Sequence, residues 1–265
     1  MRPEQRRLAI IELLSEHHKL TVDFLAEHLS ASKETIRRDL TDLANIGQLR
    51  KFHGGAAILD NTLQEGEFSA RLSENAQEKR AIALAATSLF HKNDSIFIDT
   101  GTTTLAFARE LAVNAKELTI ITNSVSITQV LARSSGNHKV YLIGGQYRED
   151  AAENLGPLAV AQISMFHVSD AVITVGAMDE NGVMDYDLEE AEIARAMIAQ
   201  AKQVTVLADH SKIGRSALFT LCSLKDIHRL VTDRLPGKAF YNALQDAGIE
   251  CIVSAEGMRL SNAID

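Results

Sequence analysis

From residue 95 onward, short strand-like runs that are apolar almost throughout recur with helix-forming stretches between most of them. They are SIFID (95–99), LTIIT (118–122), KVYLI (139–143), AVITV (171–175), VTVLA (204–208) and IECIV (249–253). A strand that is apolar on both faces has to be covered on both faces, and stretches such as LAFARELA and LEEAEIARAMIAQA supply the covering helices. The pattern therefore predicts an α/β domain on a mostly parallel sheet, since parallel neighbours need helical crossovers. A helix over about 74–90, with Ile82, Leu84, Ala85 and Leu89 among its apolar positions, leads into it.

The first 56 residues read differently, as three short helices and a hairpin. Leu8, Ile11 and Leu14, with Ile10, give an apolar stripe from about Glu4 to Glu16. Thr21 is placed to cap a second helix, Val22 to Leu29, whose Phe24, Leu25 and Leu29 face inward. Ser30-Ala31 makes a tight turn, and Ser32, with Thr35 contributing, caps a third helix. Ile36, Leu40 and Leu43 at i, i+4 and i+7 bury one stripe of that helix, and the other face shows Lys33, Thr35, Arg37 and Arg38. Gly47 ends it by admitting a left-handed backbone. The segment from Gln48 to Ala56 then combines strand-forming residues, a Gly-Gly turn and the basic side chains Arg50, Lys51 and His53, as a wing requires.

In a winged helix-turn-helix the third helix fits the major groove while the second braces it across the backbone. Ser32, Lys33, Thr35, Arg37 and Arg38 are thus candidate contacts to bases or phosphates, and Arg50, Lys51 and His53 to flanking phosphates. A solvated helical face explains any single arginine equally well. The net charge of −8 argues against nucleic acid, but residues 1–56 hold nine Lys/Arg against eight Asp/Glu, and the rest 18 against 27. The excess negative charge lies outside the amino-terminal segment, and DNA affinity follows local cations facing phosphates.

The run Ser32-Lys33-Glu34-Thr35-Ile36-Arg37-Arg38-Asp39-Leu40, followed by Leu43, Gly47 and His53-Gly54-Gly55-Ala56, resembles the signature of the DeoR family of bacterial repressors. The resemblance runs to about residue 254. It implies a repressor of a carbohydrate or sugar-acid catabolic operon that leaves its double-stranded DNA operator when a phosphorylated sugar or sugar acid binds. It also implies a sensor domain similar to ribose-5-phosphate isomerase and the glucosamine-phosphate deaminases. The expected organisation is a DNA-binding domain over 1–56, a linker over 57–72, a sensor over 73–254 and a tail over 255–265. Helix-turn-helix readers usually act as dimers on paired half-sites, so a homo-oligomer, dimer or tetramer, is expected.

The second domain has chemistry of its own. SIFID ends in Asp99-Thr100-Gly101-Thr102-Thr103-Thr104 before a helix begins, offering backbone N–H groups, hydroxyls and a helix N-terminus to an anion. A cap and turn with incidental threonines is the plainer reading, and the Gly-Lys-Ser/Thr ending of a nucleotide-binding P-loop is missing. The next strand ends in Thr122-Asn123-Ser124 and the third in Gly144-Gly145, and carboxyl ends of adjacent parallel strands line ligand crevices. Lys212, in Asp209-His210-Ser211-Lys212, is the one fixed cation placed to meet a phosphate there, unless it is a surface lysine. By the family resemblance Asp99, Gly101, Thr102, Thr103, Asn123 and Lys212 line the effector pocket, and Thr104 and Gly145 join them by position. Glu190 and Glu192 match acidic family positions, though a solvated helix face explains them too. Tyr147-Arg148 after the Gly-Gly turn offers a ligand contact, but a loop arginine facing solvent is the plainer reading.

The rival class is a sugar-phosphate isomerase with an appended DNA-binding domain, its base drawn from Asp179, Asp185 or Glu189. Gly176-Ala177-Met178-Asp179-Glu180 matches the Asp-Gly-Ala-Asp-Glu of such enzymes only in part, and their Lys-Gly-Gly-Gly stretch is missing, so no catalytic residue is expected. No apolar run approaches the roughly 20 residues that cross a bilayer. Charges interrupt the first apolar stretch, unlike a secretory signal, and Cys222 and Cys251 form no metal or disulfide framework. Nine histidines show no metal-ligand pairing. A cytoplasmic protein without metal or cofactor is expected.

Overall fold

A computed structural model describes residues 3–17, 19–45, 49–52, 54–58, 65–114 and 116–255. The chain divides into two compact units, Met1–Asn61 and Thr62–Asp265. The first runs α1 (Pro3–His17), β1 (Lys19–Thr21), α2 (Val22–His28), α3 (Lys33–Asn45), β2 (Leu49–Phe52) and β3 (Gly55–Ile58). Ile10, Leu14, Leu25, Ile36, Leu40 and Leu43 close its core, so the stripe expected on α3 is the one that packs.

Two expectations fail on helical phase. Leu8 is 65% exposed, because α1 buries Ile10 and Leu14, one turn apart, and Leu8 lies about 200° round from Ile10. Phe24 is 40% exposed: α2 turns Val22, Leu25, Ala26 and Leu29 inward, and Phe24 stacks on His28 outside. The wing also holds more than a hairpin. β1 pairs antiparallel with β3, giving the order β1-β3-β2. A side chain at Gly55 would run into the Leu20 carbonyl, which is why the middle strand starts with glycine. Gly54 turns at φ +89°. Gly47 and His53 lie outside the described residues.

The second unit opens with α4 (Phe68–Arg71), whose Phe68 is buried, so the stretch read as linker, 57–72, contains the end of β3 and the first helix of this unit. There follow α5 (Ala76–Thr87), β4 (Ser95–Ile98), α6 (Thr102–Val113), β5 (Thr119–Thr122), α7 (Val125–Ala132), β6 (Lys139–Leu142), β7 (Gln146–Arg148), β8 (Glu153–Leu155), α8 (Pro157–Ile163) and β9 (Val168–Ile173). The remainder is β10 (Ala177–Asp179), β11 (Gly182–Asp185), α9 (Leu188–Ala199), β12 (Ala201–Leu207), β13 (Phe219–Cys222), β14 (Arg229–Thr232), α10 (Lys238–Asp246) and β15 (Glu250–Val253).

All six expected runs are strands of one seven-stranded parallel sheet, ordered β15-β14-β12-β9-β4-β5-β6. The seventh, β14, escaped notice because it offers only Leu230 and Val231 behind Arg229, whose guanidinium pairs with the buried Asp170 carboxylate. Successive residues point to opposite layers. Ile96 and Ile98 pack with Ile82, Leu105, Leu111 and Ile127, whereas Phe97 packs with Ile163, Ile193 and Met197. β6 departs from the two-sided burial expected of it: as the sheet's edge it leaves Tyr141 and Leu142 exposed. In α5, Leu84 is exposed. Short antiparallel strands, β7-β8 and β10-β11-β13, hang from the sheet. Among the described residues no helix is long and apolar enough to cross a membrane.

Strand order fixes where a ligand belongs. The chain builds outward from β4 through β5 to β6, then returns to lay β9 on the other side of β4 and proceeds through β12 and β14 to β15. Order therefore reverses between β4 and β9, and at such a reversal the loops at the strands' carboxyl ends diverge and open a crevice.

Candidate functional site

In the first unit, Ser32 accepts a hydrogen bond from the Thr35 amide at 3.1 Å and so caps α3. Thr21 caps α2 by accepting from the Phe24 amide. Lys33, Arg37, Arg38, Arg50 and Lys51 are all exposed. Lys33 pairs loosely with Asp23, and Arg37 lies 3.8 Å from Glu34. Arg38 and Arg50 have no ionic partner among the described residues. Lys51 donates to Thr41 Oγ1 at 2.7 Å and thereby ties the wing to α3. A cleft of about 320 Å³ between wing and helices presents Arg37, Lys51 and Phe52. Two of the three acidic residues of α3 are neutralised from behind, Asp39, which is buried, by Arg6 at 2.5 Å and Asp42 by Arg7 at 2.7 Å, while Glu34 stays exposed beside Arg37. The outward face is left basic, which an overall charge count could not show.

In the second unit, Asp99 and Gly101 end β4 at the reversal. A Cβ on Gly101 would overlap Thr174 beyond the end of β9, so glycine lets the two loops approach. No side chain caps the first turn of α6. Thr102, Thr103 and Thr104 are 6%, 3% and 0% exposed, a more enclosed turn than the sequence implies. Thr104 spends its hydroxyl on the Gly101 carbonyl at 3.1 Å, whereas the Thr102 and Thr103 hydroxyls have no partner among the described residues. Asn123, fully buried at the end of β5, donates to Glu153 Oε2, and its own Oδ1 has no partner. Gly145 has a packing reason of its own, since a side chain there would strike the Leu155 backbone.

Around this point carboxylates gather. Burial, then the charges of Glu153 and Asp185, hold the Asp99 carboxyl well above its ordinary pKa. Burial and the Glu65 charge push Asp185 to about 6. Glu153 and Glu190 are raised by burial first; Glu190 is raised further by Glu153, Asp185 and Asp99, whereas Arg148 holds Glu153 down. Their counter-ion is Arg148. Far from facing solvent, it lies 2.6 Å from Glu189, 3.1 Å from Asp187 and Glu190, and 3.9 Å from Glu153. Glu190 is accordingly no solvated face, while Glu192 is exposed. Nor is Lys212 the sole cation: it pairs with Glu65, which also holds Arg71, and the buried Lys79 ammonium feels both cations. Asp185 feels the charges of Glu65 and Lys212, and Asp99 that of Asp185, so basic and acidic groups gather near the end of β4.

Two family models match the chain: the DeoR-like helix-turn-helix domain over residues 6–62 and the DeoR C terminal sensor domain over residues 74–234. The chain belongs to the DeoR family. It is 35% identical to the HTH-type transcriptional repressor GlcR of Bacillus subtilis over 97% of its own length and 98% of that protein. It is 30% identical to the glycerol-3-phosphate regulon repressor of Escherichia coli over 94% of its length and 98% of that protein. Among solved structures, ribose 5-phosphate isomerase A of Methanocaldococcus jannaschii matches with a TM-score of 0.40 and 17% identity, over 53% of this chain and 55% of that one. This DeoR-family chain is a DNA-binding transcription regulator with a sensor domain.

Sequence reasoning passed over Lys79, Arg71, Glu65 and Glu153 in this DeoR-family chain, and read Asp185 as a candidate base of the rival enzyme class. Lys79 alone gave a local signal, being a charged residue just before the buried Ala81-Ile82-Ala83 side of α5, where it is itself buried and donates to the Arg71 and Glu74 carbonyls. The acidic cluster makes a stability prediction. Carboxyls with folded pKa values above their unfolded ones keep protons that the unfolded chain releases, so stability falls as pH rises through that window. The sensor domain is expected to melt at a higher temperature at pH 5 than at pH 8, the fall running up to about pH 6 for Asp185 and about pH 7 for Glu153, and Asp185→Asn is expected to shallow its lower part. A flat melting temperature across that range would contradict it.

Proposed function

We propose that this chain represses a carbohydrate-catabolic operon, binding a double-stranded operator as a homo-oligomer through α3 and the wing, and releasing it when a phosphorylated sugar occupies the crevice at the strand-order reversal. The observation that carries the sensor half is the enclosed, uncapped start of α6 with the unengaged Thr102 and Thr103 hydroxyls beside it. Free N–H groups, hydroxyls and the positive end of a helix suit a phosphoryl group. Lys212 adds positive charge that bears on Asp185, whose own charge bears on Asp99 at the end of β4.

The acidic flank narrows the rest of the ligand. Asp99, Glu153, Asp185 and Glu190 lie close enough for their charges to bear on one another, and Glu153 also accepts from Asn123, whose own oxygen is unpartnered, so that end suits hydroxyl or ammonium donors and repels a carboxylate. Neutral or amino sugar phosphates therefore fit better than phosphorylated sugar acids. The isomerase alternative gains nothing from the relatives, which match over nearly their full length and carry repressor or regulator names.

The test is a thermal-shift screen of phosphorylated sugars, polyols and sugar acids on the full chain, followed by operator titration with the hits. A sugar phosphate that raises the melting temperature and frees the operator supports the reading. No stabilisation by any phosphorylated compound would end it. Thr103→Val, which removes a hydroxyl without changing shape, is expected to weaken such a hit about tenfold and leave the melting temperature of the free protein within about 2 °C. Isothermal titration checks the first number and a melting curve the second.

A further inference from the structure

The cations beside this crevice already hold an anion, and it belongs to the chain. Glu65 places Oε1 2.5 Å from Lys212 Nζ and Oε2 2.8 Å from Arg71 Nη1. All three side chains are four-fifths buried or more. Lys79 stands close enough for Lys212 and Arg71 to bear on its charge, and burial makes that ammonium easier to deprotonate. Of the other carboxylates nearby, Asp209 is committed elsewhere: it accepts from the Ser211 amide and hydroxyl and from Asn75 Nδ2. Two cations, Lys212 and Arg71, thus share a single bridging carboxylate with the Lys79 ammonium close by, a geometry that suits an anion of higher charge.

Position gives the pairing its meaning. Glu65 lies three residues beyond Thr62, where the sensor unit begins, whereas Lys212 is 147 residues further along the chain, past the end of β12. The ion pair therefore fastens the first stretch of the sensor unit onto the carboxyl end of its sheet. Glu65 is joined to α4 only through the two residues Gly66 and Glu67, and Arg71 Nε donates to the Gly66 carbonyl in the same stretch.

We propose that Glu65 is the built-in occupant of the seat that an effector's phosphoryl group takes, so that ligand entry expels this carboxylate from Lys212 and Arg71 and frees the stretch that follows the junction with the DNA-binding unit. The inference rests on the sugar-phosphate reading above and adds to it a route out of the crevice. A phosphoryl group brings up to two negative charges and three acceptor oxygens against the carboxylate's one charge, so it displaces Glu65 where a weaker anion does not. A tethered competitor acts at high effective concentration, which lowers the apparent affinity of every anion that must replace it.

The experiment uses the full chain and inorganic phosphate as probe. Glu65→Gln keeps the side-chain shape and removes the charge, and is expected to bind phosphate about tenfold more tightly than the wild type by isothermal titration. In the wild type, saturating phosphate is expected to speed hydrogen exchange over residues 65–72 and slow it over 100–104. Unchanged or weaker phosphate binding by Glu65→Gln, or exchange over 65–72 that stays the same or slows in the wild type, overturns the displacement. If Lys212→Ala still abolishes binding in that case, the sugar-phosphate reading survives without it. If neither wild type nor Glu65→Gln binds phosphate or any phosphorylated sugar, both fall together.

Discussion

Arg38→Ala is expected to weaken operator binding about 5- to 150-fold, the 1–3 kcal/mol that an arginine contact to DNA is typically worth. Arg38 stands exposed on α3, and no carboxylate among the described residues holds it. Its truncation therefore costs the fold little, as for surface positions generally. Arg6 and Arg7 supply the contrast. They neutralise Asp39 and Asp42 from α1, so replacing Arg6 would leave the buried Asp39 to Arg7 alone, at 3.3 Å, and weaken the unit itself. Fluorescence anisotropy with operator DNA at several salt concentrations tells a phosphate partner from a base partner. Without a phosphate partner, affinity drops for all sequences and the salt slope shrinks by about one; without a base partner, preference relaxes at one position. Wild-type affinity at every salt concentration would remove this face of α3 from the interface.

The second large effect belongs to Lys212. Lys212→Ala is expected to cost about thirtyfold or more in sugar-phosphate affinity, since truncating one member of a desolvated charge pair typically loses about 2 kcal/mol upward. Operator binding without ligand is expected to stay within about threefold, because Arg71 continues to hold Glu65 at 2.8 Å. The variant should consequently remain on DNA at ligand concentrations that release the wild type. Calorimetry and operator titration on the same preparation check both halves. Ligand affinity equal to wild type would take Lys212 out of the crevice.

Much of this fold was legible because its strands announce themselves twice over. A residue such as Phe97, buried on one face of the sheet, and its neighbours Ile96 and Ile98, buried on the other, leave a continuous apolar run that only a covered parallel strand explains. β14 was not legible, since half of its four residues are polar and one of them, Arg229, is there to neutralise Asp170. The helix caps Thr21 and Ser32 could be read because a cap is local chemistry within three residues. Phe24 and Leu8 could not: which side of a short helix faces inward depends on what packs against it.

The candidate site divides along the same line. Loops that touch the crevice through their own backbone, such as Asp99 to Thr104, show in the sequence as a motif after a strand. Glu65 meets Lys212 from 147 residues away and Arg148 meets the start of α9 from 39 to 42 residues away, and nothing local marks such meetings. Arg148 was misread for that reason, since its four carboxylates come from β8 and the start of α9.

The three-stranded arrangement in the DNA-binding unit has a mechanical consequence. With β3 hydrogen-bonded on both edges and Lys51 hooked to Thr41, the wing and α3 behave as one stiff reading head. Metabolite control cannot then work by curling or uncurling the wing. In the homo-oligomer proposed above it swings or respaces whole heads, so helix and wing engage or leave a half-site in a single step.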